Sequence, residues 1–177
     1  FGDGAANQGQ VYESFNMAKL WDLPVIYAIE NNKYAMGTAV ERSASEPLFY
    51  KRGESFRIPG IQVDGMDVLA VRGAAEEAMA WTQAGKGPII LELLTYRYRG
   101  HSMSDPAKYR TREEVQDYRE HRDPITHAAA ELEKLGVKEE VLKEIDKQIK
   151  DIVVEAAKFA EDAAEPEAAE MYTDVLV

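Results

Sequence analysis

Two short, nearly continuous apolar runs place the strongest constraint on the fold of this chain. They are "PVIYAIEN" (24–31) and "PIILELLTYRY" (88–98), and both are rich in β-branched and aromatic residues. Runs of this kind predict strands that are buried on both faces. Between them lie a helix-like stretch at 9–23 and another that begins at Asp67, a candidate N-cap, and stops at Gly85. The alternation predicts an α/β fold, with a doubly wound parallel sheet covered on both sides.

The last third of the chain is predicted to be helical. Thr111 and Glu114 form a candidate capping box, and residues 138–164 carry an apolar stripe at helical spacing that favours a docking face over a catalytic surface. We therefore divide the chain into the C-terminal part of an α/β domain (1–110) and a helical extension with a tail (111–177). The extension is expected to pack on that domain or on a partner subunit.

Two polar side chains follow neighbouring strands at the points where those strands are predicted to end. Asp3 follows the first strand, and Asn32 follows the run at 24–31. Residues 5–30 suffice for a loop, one helix and the next strand, and such a crossover joins parallel strands. Asp3 and Asn32 are therefore expected side by side at the carboxyl ends of the strands, where open α/β sheets bind ligands.

The atoms at this corner predict a metal-bound phosphate. A carboxylate oxygen, an amide oxygen and a backbone carbonyl beyond the second strand form an all-oxygen set, which suits Mg²⁺ or Ca²⁺. Gly4, Ala5 and Ala6 let the backbone approach a phosphate, and the helix that follows offers free amides. "GDG" and "NN" are each common in turns, and only their pairing at this spacing makes the prediction specific.

The segments "GDGAANQGQ" and "ENNKYAMGT" together resemble the thiamine diphosphate motif. The surrounding sequence is similar to the alpha subunits of the two-subunit pyruvate dehydrogenase first component, through "YKRGESFRIPGIQVDGMD", "GKGPIILELLTYRYRGHSMSDP" and "YRTREEVQDYREHRDPI". The likeness covers essentially all 177 residues. It implies the thiamine diphosphate-binding fold, incomplete in this chain, with thiamine diphosphate and Mg²⁺ as cofactors.

The resemblance also implies roles for individual residues at the corner. Asp3 and Asn32 would bind Mg²⁺ through their side chains, and Tyr34 through its backbone carbonyl. The amides of Gly4 and Ala5 would lie near the diphosphate. A metal that bridges the diphosphate anchors the cofactor electrostatically and leaves its reactive ring free.

The loop "RGHSMSDP" (99–106) follows the second apolar run and is expected on the same rim of the sheet as the metal corner. The resemblance makes His101 a catalytic and cofactor-contacting residue, which stabilises charge and donates a proton. Ser102 matches a serine that kinases phosphorylate in mitochondrial relatives, and belongs to the implied site for that reason. Glu46 and Lys108 stand where further phosphorylated serines are expected, which favours a bacterial enzyme.

The implied reaction is the oxidative decarboxylation of pyruvate, with transfer of the two-carbon unit to a lipoyl group on an acyltransferase component. The implied partner is a beta subunit in an α2β2 heterotetramer, in the bacterial cytoplasm or, for a eukaryote, the mitochondrial matrix. Two alternatives stay open. One is an alpha subunit of a branched-chain 2-oxo acid or acetoin dehydrogenase, and the other is a truncated, non-catalytic piece that only binds partner subunits.

The composition excludes several classes of site and partner. The formal charge of −11 argues against a nucleic-acid surface, and the lack of cysteine excludes disulfides, thiolate metal sites and catalytic thiols. No apolar run approaches the roughly 20 residues that span a bilayer, so no membrane partner is expected. The opening on Phe1, without Met, suggests part of a longer polypeptide that begins at a loop feeding the cofactor site.

Overall fold

The structure, a computed structural model, describes residues 1–174 as a mixed α/β chain. Residues 175–177, the end of the predicted tail, lie outside the described residues. The strands are β1 (Ile26–Asn31), β2 (Tyr34–Ala35), β3 (Thr38–Ala39), β4 (Gly60–Asp64) and β5 (Ile89–Leu94). The α-helices are α1 (Gly9–Leu20), α2 (Val40–Ser43), α3 (Val68–Gln83), α4 (Arg112–His121), α5 (Pro124–Lys134) and α6 (Glu139–Asp162). Segments of 3₁₀ helix cover Ala5–Asn7, Phe49–Phe56 and Ala168–Tyr172.

Three of the strands form a small parallel sheet in the order β1, β5, β4. Asn31 at the end of β1 is in register with Leu94 at the end of β5. On the other side of β1, Gly2 forms a single parallel bridge with Glu30. β2 and β3 form a separate antiparallel hairpin directly after β1. The residues that follow Gly2, β1 and β5 therefore emerge at one edge of the sheet.

The main hydrophobic core lies on one face of this sheet. Ile29 of β1 and Ile90 of β5 meet Phe15 of α1 and Phe49, and each of these side chains is at most 1% exposed. Phe15 also packs edge to face on Tyr27, with ring centroids 4.7 Å apart. Helix α3 contacts β4 and β5. Its buried residues are Ala74, Ala78 and Thr82.

The ends of the helices follow local signals in the sequence. Asp67 Oδ1 accepts hydrogen bonds from the second and third amides of α3 at 2.9 and 3.0 Å, so it caps this helix as predicted. Gly85 follows α3 with φ of 70°, a conformation that ends helices readily at glycine. Thr111 Oγ1 accepts from the amide of Glu114 at 3.1 Å and caps α4. The caps at Asp67 and Thr111 and the helix end at Gly85 are confirmed, whereas the Glu114 side chain makes no return bond to the Thr111 amide within residues 1–174, so the capping box is only half formed.

The sheet differs from its prediction in two respects. β1 was expected to be buried on both faces, but Ile29 and Asn31 are buried while Ala28 and Glu30 are exposed. The reason is that α3 lies mainly against β4 and β5 and leaves this face of β1 open. β4 was not predicted at all, since a five-residue strand that contains glycine and glutamine gives little apolar signal.

The chain divides into two compact units, residues 1–128 and a second unit that begins at Ala129. The first unit contains the sheet and both of its flanking helices. In the second, α6 is amphipathic, and the side chains of its predicted stripe are about half exposed or more, from Val141 at 49% to Phe159 at 78%. The docking function of this stripe stays a prediction. Among residues 1–174 we find no helix with the length and apolar composition of a membrane span.

Candidate functional site

The "GDG" turn is attached to the end of β1. Glu30 donates its amide to the carbonyl of Phe1 at 2.9 Å, next to the bridge between Gly2 and Glu30. Asp3 follows at once and is only 2% exposed. The turn then tightens into 3₁₀ helix, with the amide of Ala6 donating to the carbonyl of Gly2 at 3.2 Å. A carboxylate is thereby buried at the edge of the sheet, just before the 3₁₀ segment Ala5–Asn7 that leads into α1.

Asn32 lies beside this carboxylate. Its backbone amide donates to Asp3 Oδ1 at 3.3 Å. The next residue, Lys33, has φ of 69°, and this left-handed position turns the chain into the hairpin of β2 and β3. The hairpin packs so tightly on the "GDG" turn that a Cβ on Gly4 would lie 2.6 Å from the Cβ of Ala35. Asp3, Gly4, Asn32 and the start of β2 thus form one contiguous corner.

The side-chain amide of Asn32 and the carbonyl oxygen of Tyr34 converge at this corner. With the Asn32 amide in one orientation, its oxygen faces the carbonyl oxygen of Tyr34 at 3.0 Å. In the other, its nitrogen donates to that carbonyl at 3.0 Å, and its oxygen accepts from Arg97 Nη2 at 3.0 Å. The second orientation gives both ends of the Asn32 amide a hydrogen-bond partner without a cation. The first suits a cation, because adjacent ligands of an octahedron with bonds of about 2.1 Å lie about 3 Å apart.

The charge state of Asp3 reflects its burial. Burial raises the pKa of the Asp3 carboxyl above its usual 3.8, since it removes water from the ionised form. Hydrogen bonds from backbone amides, among them that of Asn32, and the positive charges of Arg97 and Arg110 oppose this rise. No hydrogen bond within residues 1–174 reaches the second carboxylate oxygen, Oδ2. The donor set of Asp3, Asn32 and Tyr34 therefore fits a hard divalent cation, which would also favour the ionised form of Asp3.

Arg110 connects the loop after β5 to the metal corner. Its Nη2 donates to the carbonyl of Asn32 at 3.1 Å, and its Nη1 donates to the carbonyl of Arg97. The guanidinium is only 8% exposed and lies 4.9 Å from the ring centroid of Tyr34 and 4.8 Å from that of Tyr96. A buried cation in aromatic surroundings thus holds the backbone at Asn32.

Arg97 and Arg110 leave unused hydrogen-bonding capacity and positive charge at this corner. Buried Nη1 of Arg97 and Nε of Arg110 have no partner within residues 1–174. Neither arginine belongs to any ion pair in that part of the chain. In a chain with a net charge of −11, this cationic corner is an exception that suits an anionic ligand.

Arg52 supports the "GDG" turn from the opposite side. Its Nη1 donates to the carbonyl of Ala6 at 2.9 Å and to Oδ1 of Asn7 at 2.8 Å. Its Nε and Nη2 donate to the carbonyl of Glu46 at 3.3 and 3.0 Å. Two hydrogen bonds from Arg52 Nη1 therefore hold the turn that precedes α1, while Nε and Nη2 anchor the guanidinium to Glu46.

The loop that carries His101 is organised by Asp105. Its carboxylate accepts from the amide of His101 at 2.7 Å, the amide of Ala107 at 2.9 Å and the hydroxyl of Tyr109 at 2.7 Å. These three donors lower the pKa of Asp105 to about 2. Gly100 is required here, because a Cβ at this position would lie 2.3 Å from the carbonyl oxygen of Asp105.

The predicted site residues fall into two groups. Asp3, Gly4, Asn32 and Tyr34 meet at the corner, and Ala5 begins the adjoining 3₁₀ turn. His101 and Ser102 are exposed on the loop after β5, and no hydrogen bond within residues 1–174 joins either side chain to the first group. The Ser102 hydroxyl instead lies 3.0 Å from that of Ser104. Tyr109 links the two groups, since its hydroxyl donates to Asp105 and its ring centroid lies 4.9 Å from that of Tyr34.

The sequence alone did not single out Arg97 or Arg110 as a site residue. They stand in the segments "TYRYRG" and "KYRTRE", which read as ordinary polar strand ends and loops. The available signal was the alternation of tyrosine with arginine directly after a buried strand. Such alternation is typical of guanidinium groups stacked on aromatic rings.

Comparisons with known proteins agree with this geometry. Residues 1–169 match the family model described as "Dehydrogenase E1 component". The chain is 62% identical to "Pyruvate dehydrogenase E1 component subunit alpha" of Rhizobium meliloti, covering 100% of this chain and 51% of that protein. It is 59% identical to the protein of the same name from Zymomonas mobilis, covering 100% and 50%. For the mitochondrial type I subunit alpha of Ascaris suum, the identity is 55%, covering 99% and 44%.

The chain therefore spans about half the length of the curated relatives it matches. Within that half, the family match extends from the "GDG" turn through the parallel sheet to the end of α6. The chain belongs to the dehydrogenase E1 component family.

Proposed function

We infer that the chain provides the Mg²⁺ and diphosphate site of a thiamine diphosphate-dependent 2-oxo acid dehydrogenase, as part of its alpha subunit. The observation that carries this proposal is the meeting of the Asn32 side-chain amide and the Tyr34 carbonyl oxygen, 3.0 Å apart, beside the buried carboxylate of Asp3. With the amide oxygen turned toward this carbonyl, the two groups and the carboxylate would supply three oxygen ligands to a hard divalent cation. The names of the relatives favour pyruvate as the substrate.

Different residues of the corner would bind different parts of the cofactor. Asp3 and Asn32 would bind Mg²⁺ through side-chain oxygens, and Tyr34 through its backbone carbonyl. The backbone amides of Gly4 and Ala5 donate no hydrogen bond within residues 1–174, so they are free to bind diphosphate oxygens. Arg97 adds positive charge and a buried, unpartnered N–H group.

Bound thiamine diphosphate would supply an electron sink for decarboxylation of the 2-oxo acid. This chain's own contribution is to hold the metal, to neutralise the phosphates and to position the loop of His101. The His101 backbone is fixed by Asp105, while its ring makes no hydrogen bond within residues 1–174. The ring is therefore free to turn toward a substrate, stabilise negative charge and donate a proton. Phosphorylation of Ser102, beside it, would add negative charge to this loop.

The wider proposal follows from the resemblance and from the relatives. The fold is the doubly wound thiamine diphosphate-binding fold, with residues 1–110 as its C-terminal part and residues 111–177 as the helical extension. The partner is a beta subunit in an α2β2 heterotetramer, and the acyl acceptor is the lipoyl group of an acyltransferase component. The bacterial and mitochondrial relatives favour the cytoplasm of a bacterium or the mitochondrial matrix.

Calorimetric titration of thiamine diphosphate with Mg²⁺ tests the proposed site. It uses the intact polypeptide that contains this chain, purified with its beta subunit. Asp3→Asn removes the charge and keeps the shape, and we expect it to weaken metal-dependent binding about tenfold or more. Asp22→Asn, on the exposed end of α1, is the matched control and should bind like the parent. Equal binding by the Asp3 variant, or none by the parent, would contradict the proposal.

A second assay tests the substrate. The same preparations would receive pyruvate, branched-chain 2-oxo acids and acetoin with an artificial electron acceptor, and the product released would be measured. We expect the largest kcat/KM for pyruvate and no turnover in the Asp3→Asn variant. A larger kcat/KM for a branched-chain acid would keep the metal site but change the substrate.

A further inference from the structure

The middle of the sheet contains a carboxylate that the proposed function does not use. Glu92 lies at the fourth position of β5, between β1 and β4, and its side chain is 0% exposed. None of the ion pairs within residues 1–174 includes it. A buried carboxylate without a cation costs stability compared with an apolar residue of similar volume, so it needs another explanation.

Three N–H donors converge on this carboxylate. The side-chain amide of Asn31 donates to Oε1 at 2.7 Å. The side-chain amide of Gln62 and the backbone amide of Tyr50 both donate to Oε2 at 3.0 Å. All three groups need an acceptor, and an ionised carboxylate provides acceptors only. Glu92 thereby joins the end of β1, the middle of β4 and the start of the 49–56 segment.

Only one of these contacts continues toward the metal corner. Asn31 is 4% exposed, and while its amide nitrogen donates to Glu92, its oxygen accepts from the backbone amide of Lys33 at 3.0 Å. Lys33 lies between Asn32 and Tyr34, whose oxygens are the proposed ligands. Because an amide group has one donor side and one acceptor side, Glu92 determines that the Asn31 oxygen faces the turn.

We propose that Glu92 is a positioning residue for the metal site, acting through Asn31 on the turn that carries Asn32 and Tyr34. The inference rests on the proposed function, because it needs a cation at that turn. It identifies a buried residue that never touches the metal, yet controls the spacing of two of its ligands. Groups in this position typically change metal affinity about 10- to 100-fold when they are replaced.

The experiment measures the Kd of Mn²⁺ by electron paramagnetic resonance, with saturating thiamine diphosphate and the intact polypeptide purified with its beta subunit. Glu92→Gln places an N–H group against three donors, so at least one contact must break. We expect the Kd to rise about tenfold or more in Glu92→Gln and in Asn31→Ala. Gln62→Leu removes a donor from Oε2 but leaves the contact to Asn31, so its Kd should stay within about twofold of the parent.

The double variant Glu92→Gln/Asn31→Ala separates a shared effect from two independent ones. If Glu92 acts through Asn31, the Kd of the double variant for Mn²⁺ equals the higher of the two single-variant Kd values. Additive effects, an unchanged Kd in Glu92→Gln, or an equal loss in Gln62→Leu would overturn the proposal. Where Glu92→Gln fails to fold, the other two variants are compared. A Kd for Mn²⁺ that rises in Asn31→Ala but not in Gln62→Leu supports the proposal, and equal Kd values overturn it.

The same titrations distinguish this inference from the proposed function. A parent protein that does not bind Mn²⁺ overturns both. A parent that binds, an Asp3→Asn variant that does not, and a Glu92→Gln variant that binds like the parent leave the metal site in place and refute only the role of Glu92.

Discussion

Replacing Gly4 with alanine would test how closely the "GDG" turn and the β2–β3 hairpin must approach each other. Gly4 has φ of −65° and ψ of −45°, which any residue adopts, so the substitution adds no backbone strain. The new methyl group would nevertheless lie 2.6 Å from the Cβ of Ala35. Carbon atoms in contact prefer about 3.6 Å, so the two segments must separate by about 1 Å.

A separation of this size has two consequences. Ala35 directly follows Tyr34, so the carbonyl of Tyr34 moves with it, away from Asp3. Mg²⁺ tolerates little deviation from oxygen distances of about 2.1 Å, so we expect metal affinity to fall about tenfold or more. Local overpacking of this kind also lowers the free energy of unfolding by about 1–3 kcal/mol.

The assay combines Mn²⁺ titration at saturating thiamine diphosphate with urea unfolding. Gly9→Ala is the matched control, because it adds the same methyl group at the first residue of α1 with no atom within 4 Å. The control should keep its metal affinity and gain about 0.4–1 kcal/mol of stability. A folded Gly4→Ala protein that binds within twofold of the parent would refute the steric argument, and so would an equal loss in the control.

Three further variants test the electrostatics and the loop. Because burial raises the pKa of Asp3, its folded state holds the proton more tightly than the unfolded chain does, and the free energy of unfolding falls as pH rises above 3.8. Metal-free Asp3→Asn should lack this fall and be more stable than the parent at pH 7, as measured by urea unfolding at several pH values. Asp105 has its pKa lowered to about 2, so its contribution is present above 3.8 and is lost as pH falls through about 2. In Asp105→Asn, hydrogen exchange at pH 7 should speed up at the amides of His101 and Ala107, and unchanged exchange would contradict the hydrogen-bond assignment. In Arg110→Lys, the new side chain cannot bond two carbonyls and stack on tyrosine rings together. Urea unfolding should show a loss of about 2 kcal/mol in the free energy of unfolding, and no loss would argue that Arg110 does not hold the backbone at Asn32.

Much of the fold was predictable because its signals are local. The apolar run at 88–98 contains the buried central strand Ile89–Leu94, and the caps at Asp67 and Thr111 begin helices where the sequence indicates. β4 was missed because its identity as a strand depends on pairing with β5 rather than on its own five residues. The exposed face of β1 was missed because coverage by α3 is a property of the assembled layers, not of a run of residues.

The candidate site likewise has contacts that sequence spacing predicts and contacts that it does not. The proximity of Asp3 and Asn32 follows from one crossover between parallel strands, which sequence spacing constrains. The contact from Arg110 to the carbonyl of Asn32 joins residues far apart in the chain, and no local pattern specifies it. Glu92 stands within an apolar run that predicts a buried strand. The run gives no sign that the carboxylate accepts hydrogen bonds from three N–H donors, because those donors come from other segments of the chain.

The position of β5 in the sheet also bears on how the protein is made. β1 and β4 are synthesised first, but neither pairs with the other, since each pairs with β5. During synthesis on the ribosome, the facing edges of both strands therefore stay unpaired until Ile89–Leu94 has emerged. Unpaired strand edges are sites at which nascent chains aggregate. The exposure is prolonged because long-range parallel pairing is intrinsically slow. The strand that completes the sheet is also the strand that carries Glu92, so closure of the sheet and alignment of the metal turn would occur in one step of folding.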